Sequence, residues 1–368
     1  MSPWSACAQP RASASQRSTE EMTRPGLGGG PLLQGHSIIV IGASAGGLQP
    51  LRLILSGLPA DLPAAVFVVL HVGASSHLTQ ILARHTALPV HAATSGTTIE
   101  PGHVYVAVPN CHLLLHDQHL LLRRGPRENL TRPAIDPLFR SAACTFARHV
   151  IGVLLSGTMN DGTAGLIAIK RCGGLAVVQN PDDAAYPEMP NSALHHVLVD
   201  HVVAAADMPP LLSRLVRQPA GDAPSIPFDI RFETAIAAQE LSGMETNQTL
   251  GKLSPFACPE CNGVLWEIDD GGMLRYRCHV GHAFTAETMQ IDQGRRAEEL
   301  LWNLLRTHEE RAALTDRMAS RERAMHRDDL AAKLGERTNG YQEDADTIRR
   351  LLQEVRAERV GVTNEEAT

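Results

Sequence analysis

Four short, mainly apolar runs, the first three each ending in a turn that leads into a helical pattern, constrain this chain more than any other feature. They cover residues 37–41, 66–70, 150–155 and 175–178. A strand with one face in water alternates apolar and polar side chains, whereas a strand covered on both faces does not. Strand, turn and helix repeating in this way predict an α/β fold, a mainly parallel doubly wound sheet with helices on both faces. Helical patterns follow the first three runs, with Leu51, Ile54 and Leu55 on one face, then a stretch around 78–84 and, after 162, a helix to Arg171; a further helix over 134–147 turns Ile135, Leu138 and Phe139 inward. Short runs at 104–108, 113–115 and 120–122 read as inserted hairpins. In such sheets the ligand sits beyond the carboxyl ends of the strands. The turns after 41, 70 and 155 are therefore where chemistry is expected.

The turn after 41 reads Gly42-Ala43-Ser44-Ala45-Gly46, the G-x-S-x-G pattern of a nucleophile elbow between strand and helix. Small neighbours let the hydroxyl stand clear, and the helix N-terminus offers N–H groups to a developing oxyanion. The same letters also suit a glycine-rich phosphate loop or a plain tight turn. A serine nucleophile needs a base and an orienting carboxylate. His71 ends the run 66–70, and Asp161 lies in Ser156-Gly157-Thr158-Met159-Asn160-Asp161-Gly162 after the run 150–155. With 17 histidines one could fall at a strand end by chance, and Asp161-Gly162 could cap a helix. The order Ser, His, Asp differs from the Ser, Asp, His order of the α/β-hydrolases.

Five blocks in order carry a resemblance: Val40-Ile41-Gly42-Ala43-Ser44-Ala45-Gly46-Gly47; Leu70-His71; Arg132-Pro133-Ala134-Ile135-Asp136-Pro137-Leu138-Phe139-Arg140-Ser141-Ala142-Ala143; Leu155-Ser156-Gly157-Thr158-Met159-Asn160-Asp161-Gly162-Thr163-Ala164-Gly165; and Gln179-Asn180-Pro181 through Pro187-Glu188-Met189-Pro190. Residues 36–215 resemble the catalytic domain of the chemotaxis protein-glutamate methylesterases, the CheB family. The resemblance implies a serine hydrolase that removes methyl groups from chemoreceptor glutamates and in some members deamidates glutamine, with Ser44, His71 and Asp161 as its three functional residues. Thr158-Met159 stands where the family pattern has Met-Gly, a change in the wall of the active site. Regulated members carry a phospho-acceptor receiver domain ahead of the catalytic domain, and with about 35 residues before the first strand none is expected here.

Cys258-Pro259-Glu260-Cys261 and Cys278-His279-Val280-Gly281-His282 form two knuckle-like turns separated by a stretch that reads as a hairpin, 264–277. C-x2-C followed by C-x3-H supplies four ligands for tetrahedral zinc, Cys258, Cys261, Cys278 and His282, with His279 as the alternative fourth. The bland alternative is a set of reduced buried cysteines. The metal is expected to be structural, and no catalytic cofactor is implied.

The chain then divides into a flexible tail at 1–35, the catalytic domain at 36–215, a linker at 216–254 with a short helix over 231–250, the zinc-ribbon-like module at 255–285, a charged helical segment at 286–357 and a tail at 358–368. Leu300, Leu301, Leu304 and Leu305 stripe that segment, and Gly335 and Gly340 are expected to interrupt it. It is a candidate for docking a receptor, a signalling partner or a second copy of the chain. A net charge of -7 gives no reason to expect nucleic acid. No apolar run is long enough to span a membrane, residues 1–35 lack the apolar core of a signal peptide, and the scattered cysteines make no disulfide framework, so a cytoplasmic protein is expected. The competing readings are a signalling scaffold that works through its C-terminal half, and a hydrolase of some other protein ester.

Overall fold

The computed structural model describes residues 37–71, 77–221, 224–239, 251–270 and 272–365. The expected tail at 1–35, the second half of the expected helix over 231–250 and the last three residues of the 358–368 tail lie outside them. The chain separates into two compact units, Met1–Met289 and Gln290–Thr368.

The first unit is built on a seven-stranded sheet. Its strands are β1 (Ile38–Ala43), β2 (Ala65–Leu70), β3 (Val90–Ala92), β4 (Val104–Val106), β7 (Val150–Leu154), β8 (Leu175–Gln179) and β9 (His201–Val203). They lie in the order β3-β4-β2-β1-β7-β8-β9, and every pairing is parallel. Alternate residues of β1 serve two cores. Ile38 and Val40 pack with α3 (Ile135–Phe146) and α4 (Thr163–Arg171), while Ile39 and Ile41 pack with α1 (Leu48–Gly57), α2 (Leu78–Ala83) and α6 (Met208–Leu215). This two-sided burial is why the strand sequences fail to alternate. The antiparallel hairpin β5 (His112–His116) and β6 (His119–Arg123) adds Leu113, Leu115, Leu120 and Leu122 to the first of these cores.

The chain leaves β1 for β2 on one side and later returns to β7 on the other. The sheet therefore has its topological switch point at β1, where the crevice outside the strand ends opens. The edge strands β3 and β9 were not readable as strands, because each has three residues and none of them is fully buried.

After α5 (Glu188–His196), α6 and α7 (Phe228–Ala237), the same unit ends in a four-stranded antiparallel sheet of β10 (Lys252–Ala257), β11 (Val264–Asp269), β12 (Leu274–Cys278) and β13 (Ala283–Thr285). Strands β11 and β12 are the hairpin expected from the sequence. Buried charges join this module to the rest of the unit. Arg275 pairs with Glu233 of α7 at 2.6 Å, Arg277 with Glu233 at 2.7 Å and with Glu128 at 3.2 Å, and Arg140 of α3 with Glu128 at 2.9 Å. Burial opposes the ionised form of Glu233, but Arg275, Arg140 and Arg277 together hold its carboxyl well below the usual range.

The second unit comprises most of α8 (Ala286–Ala324) and all of α9 (Asp328–Glu365). The break falls at 325–327, where His326 has φ 56, and Gly335 and Gly340 lie inside α9. Nothing lies within 4 Å of where a Cβ would sit on either glycine. Each costs about 1 kcal/mol relative to alanine in a helix, which packing on the other face offsets through Leu305, Ala345, Ile348 and Leu352. No described helix is long and apolar enough to cross a membrane. Cys172, Cys258 and Cys261 are free thiols, whereas Cys111 is disulfide-bonded, a departure from the reduced single expected there.

Candidate active site and cysteine cluster

Ser44 sits where β1 turns into α1. Its N–H donates to the Ser156 carbonyl at 3.0 Å, and the Gly47 N–H donates to the Ser44 carbonyl at 3.0 Å. Gly46 takes φ +70, and a Cβ on Gly47 would stand 2.6 Å from that of Ala43, so both glycines are steric requirements of the turn. His71 follows β2, and its N–H continues the ladder to the Ala43 carbonyl at 3.1 Å. Neighbouring parallel strands therefore deliver serine and histidine side by side, with Ser44 Oγ 3.1 Å from His71 Nδ1.

Asp161 comes from the loop after β7, the other neighbour of β1. Its carboxylate Oδ2 stands 3.0 Å from His71 Nε2, an ion-pair separation. Such contacts commonly tighten only when substrate binds. The imidazole faces serine with Nδ1 and the carboxylate with Nε2, the reverse of the trypsin-like arrangement. Either ring nitrogen can act as base provided the other carries the proton.

The carboxylate is buried and heavily hydrogen-bonded. Oδ2 accepts from the Ile135 N–H at 2.7 Å, and Oδ1 accepts from the N–H groups of Gly162 at 3.0 Å and Asp136 at 3.2 Å and from Asn129 Nδ2 at 2.9 Å. Burial alone would raise its pKa, but His71, the Ile135 N–H and the Asn129 amide together hold it below the ordinary value. A second buried carboxyl lies alongside. Asn129 Nδ2 also donates to Asp136 Oδ2 at 2.8 Å, and burial followed by the Asp161 charge pushes Asp136 up to about 8. Two adjacent carboxylates cannot both ionise cheaply, and here the proton stays on Asp136.

Met159 has φ 63, the left-handed region that a side chain avoids, and its N–H donates to Glu188 Oε2 at 2.8 Å. That conformation explains why glycine is the better residue at this position. A cleft of about 440 Å³ opens beside His71, lined by Asn110, Arg127, Leu130, Thr131, Arg132 and Pro133. Asn129, Asp136 and the main chain of Ile135 were not anticipated. A polar loop residue and a first-turn acid give no sign in one sequence that they will meet a carboxylate from the loop after β7.

The four expected ligands are gathered in the cysteine module, with the ligand atoms of Cys258, Cys261, Cys278 and His282 all within 4.8 Å of one another. Cys261 Sγ lies 3.7 Å from Cys278 Sγ, and His282 Nδ1 lies 3.4 Å from Cys278 Sγ and 3.8 Å from Cys258 Sγ. A tetrahedron with zinc–sulfur bonds near 2.3 Å and zinc–nitrogen bonds near 2.0 Å has edges of roughly 3.5–3.8 Å, so this donor set fits the ion. His279 is outside the group; its ring packs on Gly263, where a Cβ would come within 2.5 Å of Nδ1.

Residues 39–212 match the family model described as CheB methylesterase. A protein of Leptospira interrogans, provisionally described as a protein-glutamate methylesterase/protein-glutamine glutaminase, is 39% identical over 183 residues, which is 49% of this chain and 95% of that one. Proteins with that description from Anaeromyxobacter dehalogenans and Salmonella typhimurium are 37% and 34% identical over 49% and 48% of this chain. The matched region spans about half of their lengths, 53% and 52%. The crystal structure of the Thermotoga maritima CheB methylesterase catalytic domain is also similar, at 32% identity and a TM-score of 0.47, over 49% of this chain and 98% of that one.

Proposed function

Because the chain belongs to the CheB methylesterase family, we propose that it is a serine hydrolase that demethylates glutamate methyl esters on a methyl-accepting chemoreceptor or a related signalling protein, with deamidation of glutamine as the allied reaction. The observation that carries this reading is the continuous contact from Ser44 Oγ through the His71 ring to the buried Asp161 carboxylate, at 3.1 Å and 3.0 Å. Ser44 Oγ attacks the ester carbonyl while His71 Nδ1 takes the hydroxyl proton. Asp161 stabilises the imidazolium that results. The proton passes to the departing methoxide, methanol leaves, and an acyl-Ser44 ester remains. Water then attacks that ester with His71 again as base, freeing Ser44 and the glutamate carboxylate. Arg127 and Arg132 beside His71 suit an acidic protein segment as substrate.

The cysteine module, on the same reading, holds one structural zinc through Cys258, Cys261, Cys278 and His282, with no open position for catalysis. Metal analysis of the purified chain should give one zinc per molecule, and Cys278→Ser should lower that value.

The test of function is methanol release from methylated chemoreceptor cytoplasmic fragments by the purified chain and by Ser44→Ala. Release by the parent and not by the variant supports the assignment. Silence from a folded, zinc-loaded parent refutes it.

A further inference from the structure

The last strand of the cysteine module reaches both flanks of Asp161. Strand β13 begins one residue after His282 and pairs with β12 along one edge. Along its other edge the Ala283 carbonyl accepts from the Asn129 N–H at 2.9 Å, and the Ala283 N–H donates to the Arg127 carbonyl at 3.3 Å. The backbone of Asn129 is thus fixed by the module, while its side chain is the amide that donates to Asp161 Oδ1 at 2.9 Å. Two residues further on, Thr285 Oγ1 donates to Asn160 Oδ1 at 3.0 Å, and Asn160 Nδ2 donates to Glu287 Oε2 at 2.9 Å. Thr285 is fully buried, and Asn160 immediately precedes Asp161. A surface used only for packing would be expected to bury apolar side chains against the loop; this one places directional hydrogen bonds on the residue before the carboxylate and on a donor to it.

We propose that Asn129 and Thr285 are positioning residues for Asp161, and that metal binding by the cysteine module, by fixing His282 and the strand that follows it, sets the position of Asp161 against His71. The proposal builds on the methylesterase reading for its kinetic consequence but not for its structural one. Reactive groups must be held to a fraction of an ångström, and a misplacement of about 1 Å costs on the order of 100-fold in rate. The hydroxyl of Thr285 therefore contributes to turnover from outside the substrate cleft.

The test uses the full chain with zinc content measured in every sample. Thr285→Val keeps the shape and loses the hydroxyl, whereas Thr285→Ser keeps the hydroxyl. At unchanged zinc content, Thr285→Val is expected to lower kcat roughly 10- to 100-fold with KM unchanged, and Thr285→Ser to restore most of it. Hydrogen–deuterium exchange supplies a readout that needs no substrate. Peptides covering 127–131 and 157–162 should exchange faster in Thr285→Val, and faster again in the parent after chelation, while the β1 peptide stays protected. Unchanged exchange at 157–162 in both samples would overturn the proposal, as would a Thr285→Val kcat equal to the parent's. Should the parent hydrolyse no methyl ester at all, the methylesterase reading falls, and the exchange data still decide whether the module braces Asp161.

Discussion

Replacing Asp161 by Asn tests the reading of the site at its most constrained atom. The partners of Oδ1 are all donors: the N–H groups of Asp136 and Gly162 and the Asn129 amide. Oδ2 faces the Ile135 N–H and His71 Nε2. The new NH2 group must therefore point at three donors or take the Oδ2 position, where one donor and the imidazole await it. The second choice loses fewer hydrogen bonds. An NH2 group facing Nε2 makes that nitrogen an acceptor and leaves the proton on Nδ1, which then points at Ser44 as a donor and cannot act as base. Loss of a positioned base costs about 10²–10⁴-fold in rate, or about 3–5 kcal/mol of barrier. In stability the variant loses charge-assisted hydrogen bonds worth about 1–3 kcal/mol, less than the roughly 5–15 kcal/mol typical of a folded domain, so it should still fold. The assay is kcat for methyl-ester hydrolysis, with thermal unfolding run in parallel. A folded Asp161→Asn enzyme that keeps more than about a tenth of the parent kcat would refute the argument, because less than about 1.4 kcal/mol would then remain for the carboxylate to supply.

Asp136 is pushed up from an unfolded value of 3.8 to about 8, so the native state keeps a proton that the unfolded chain loses. That contribution to stability is complete below about pH 4 and is lost as pH rises toward 8; Asp136→Asn should flatten the slope of melting temperature against pH across that window, and an unchanged slope would count against a protonated Asp136. Met159→Gly removes a left-handed side chain at φ 63 and should stabilise the chain by about 0.5–1 kcal/mol after the greater flexibility of glycine is deducted; a lower melting temperature would contradict this. Gly157→Ala would drive its Cβ against Met189 Sδ and to 2.8 Å from Ser44 Cβ, so kcat should fall as the nucleophile is displaced, with a stability cost of about 1–3 kcal/mol; parent-like kinetics would show that the loop yields freely. Glu233→Gln leaves Arg275 and Arg277 short of a buried countercharge and should cost about 3–5 kcal/mol in chemical denaturation, whereas a loss below about 1 kcal/mol would mean that water reaches the pair.

The mainly apolar runs determined the parallel, doubly covered sheet, because burial on both faces leaves no polar positions along a strand. The turn residues after three of those runs marked Ser44, His71 and Asp161 as residues at one edge of the sheet, and two knuckle patterns marked the four ligand candidates, since their spacing is local. The sequence could not supply strand order, and order is what sets β2 and β7 on either side of β1 and so brings the three side chains to 3.1 Å and 3.0 Å. Nor did it reveal the edge strands β3 and β9, too short and too exposed to carry a pattern. Asn129, Asp136, Asn160 and Thr285 carry no individual signal, because a polar residue in a loop, at a helix start or at a strand end reads the same whether it faces water or a buried carboxylate. Only the tertiary structure decided that β13 lies against 127–129 and that Asp161 is held from a module more than 90 residues away in the chain. Local patterns record which surface an element must bury; the partners of buried polar groups depend on long-range packing, which no local period encodes.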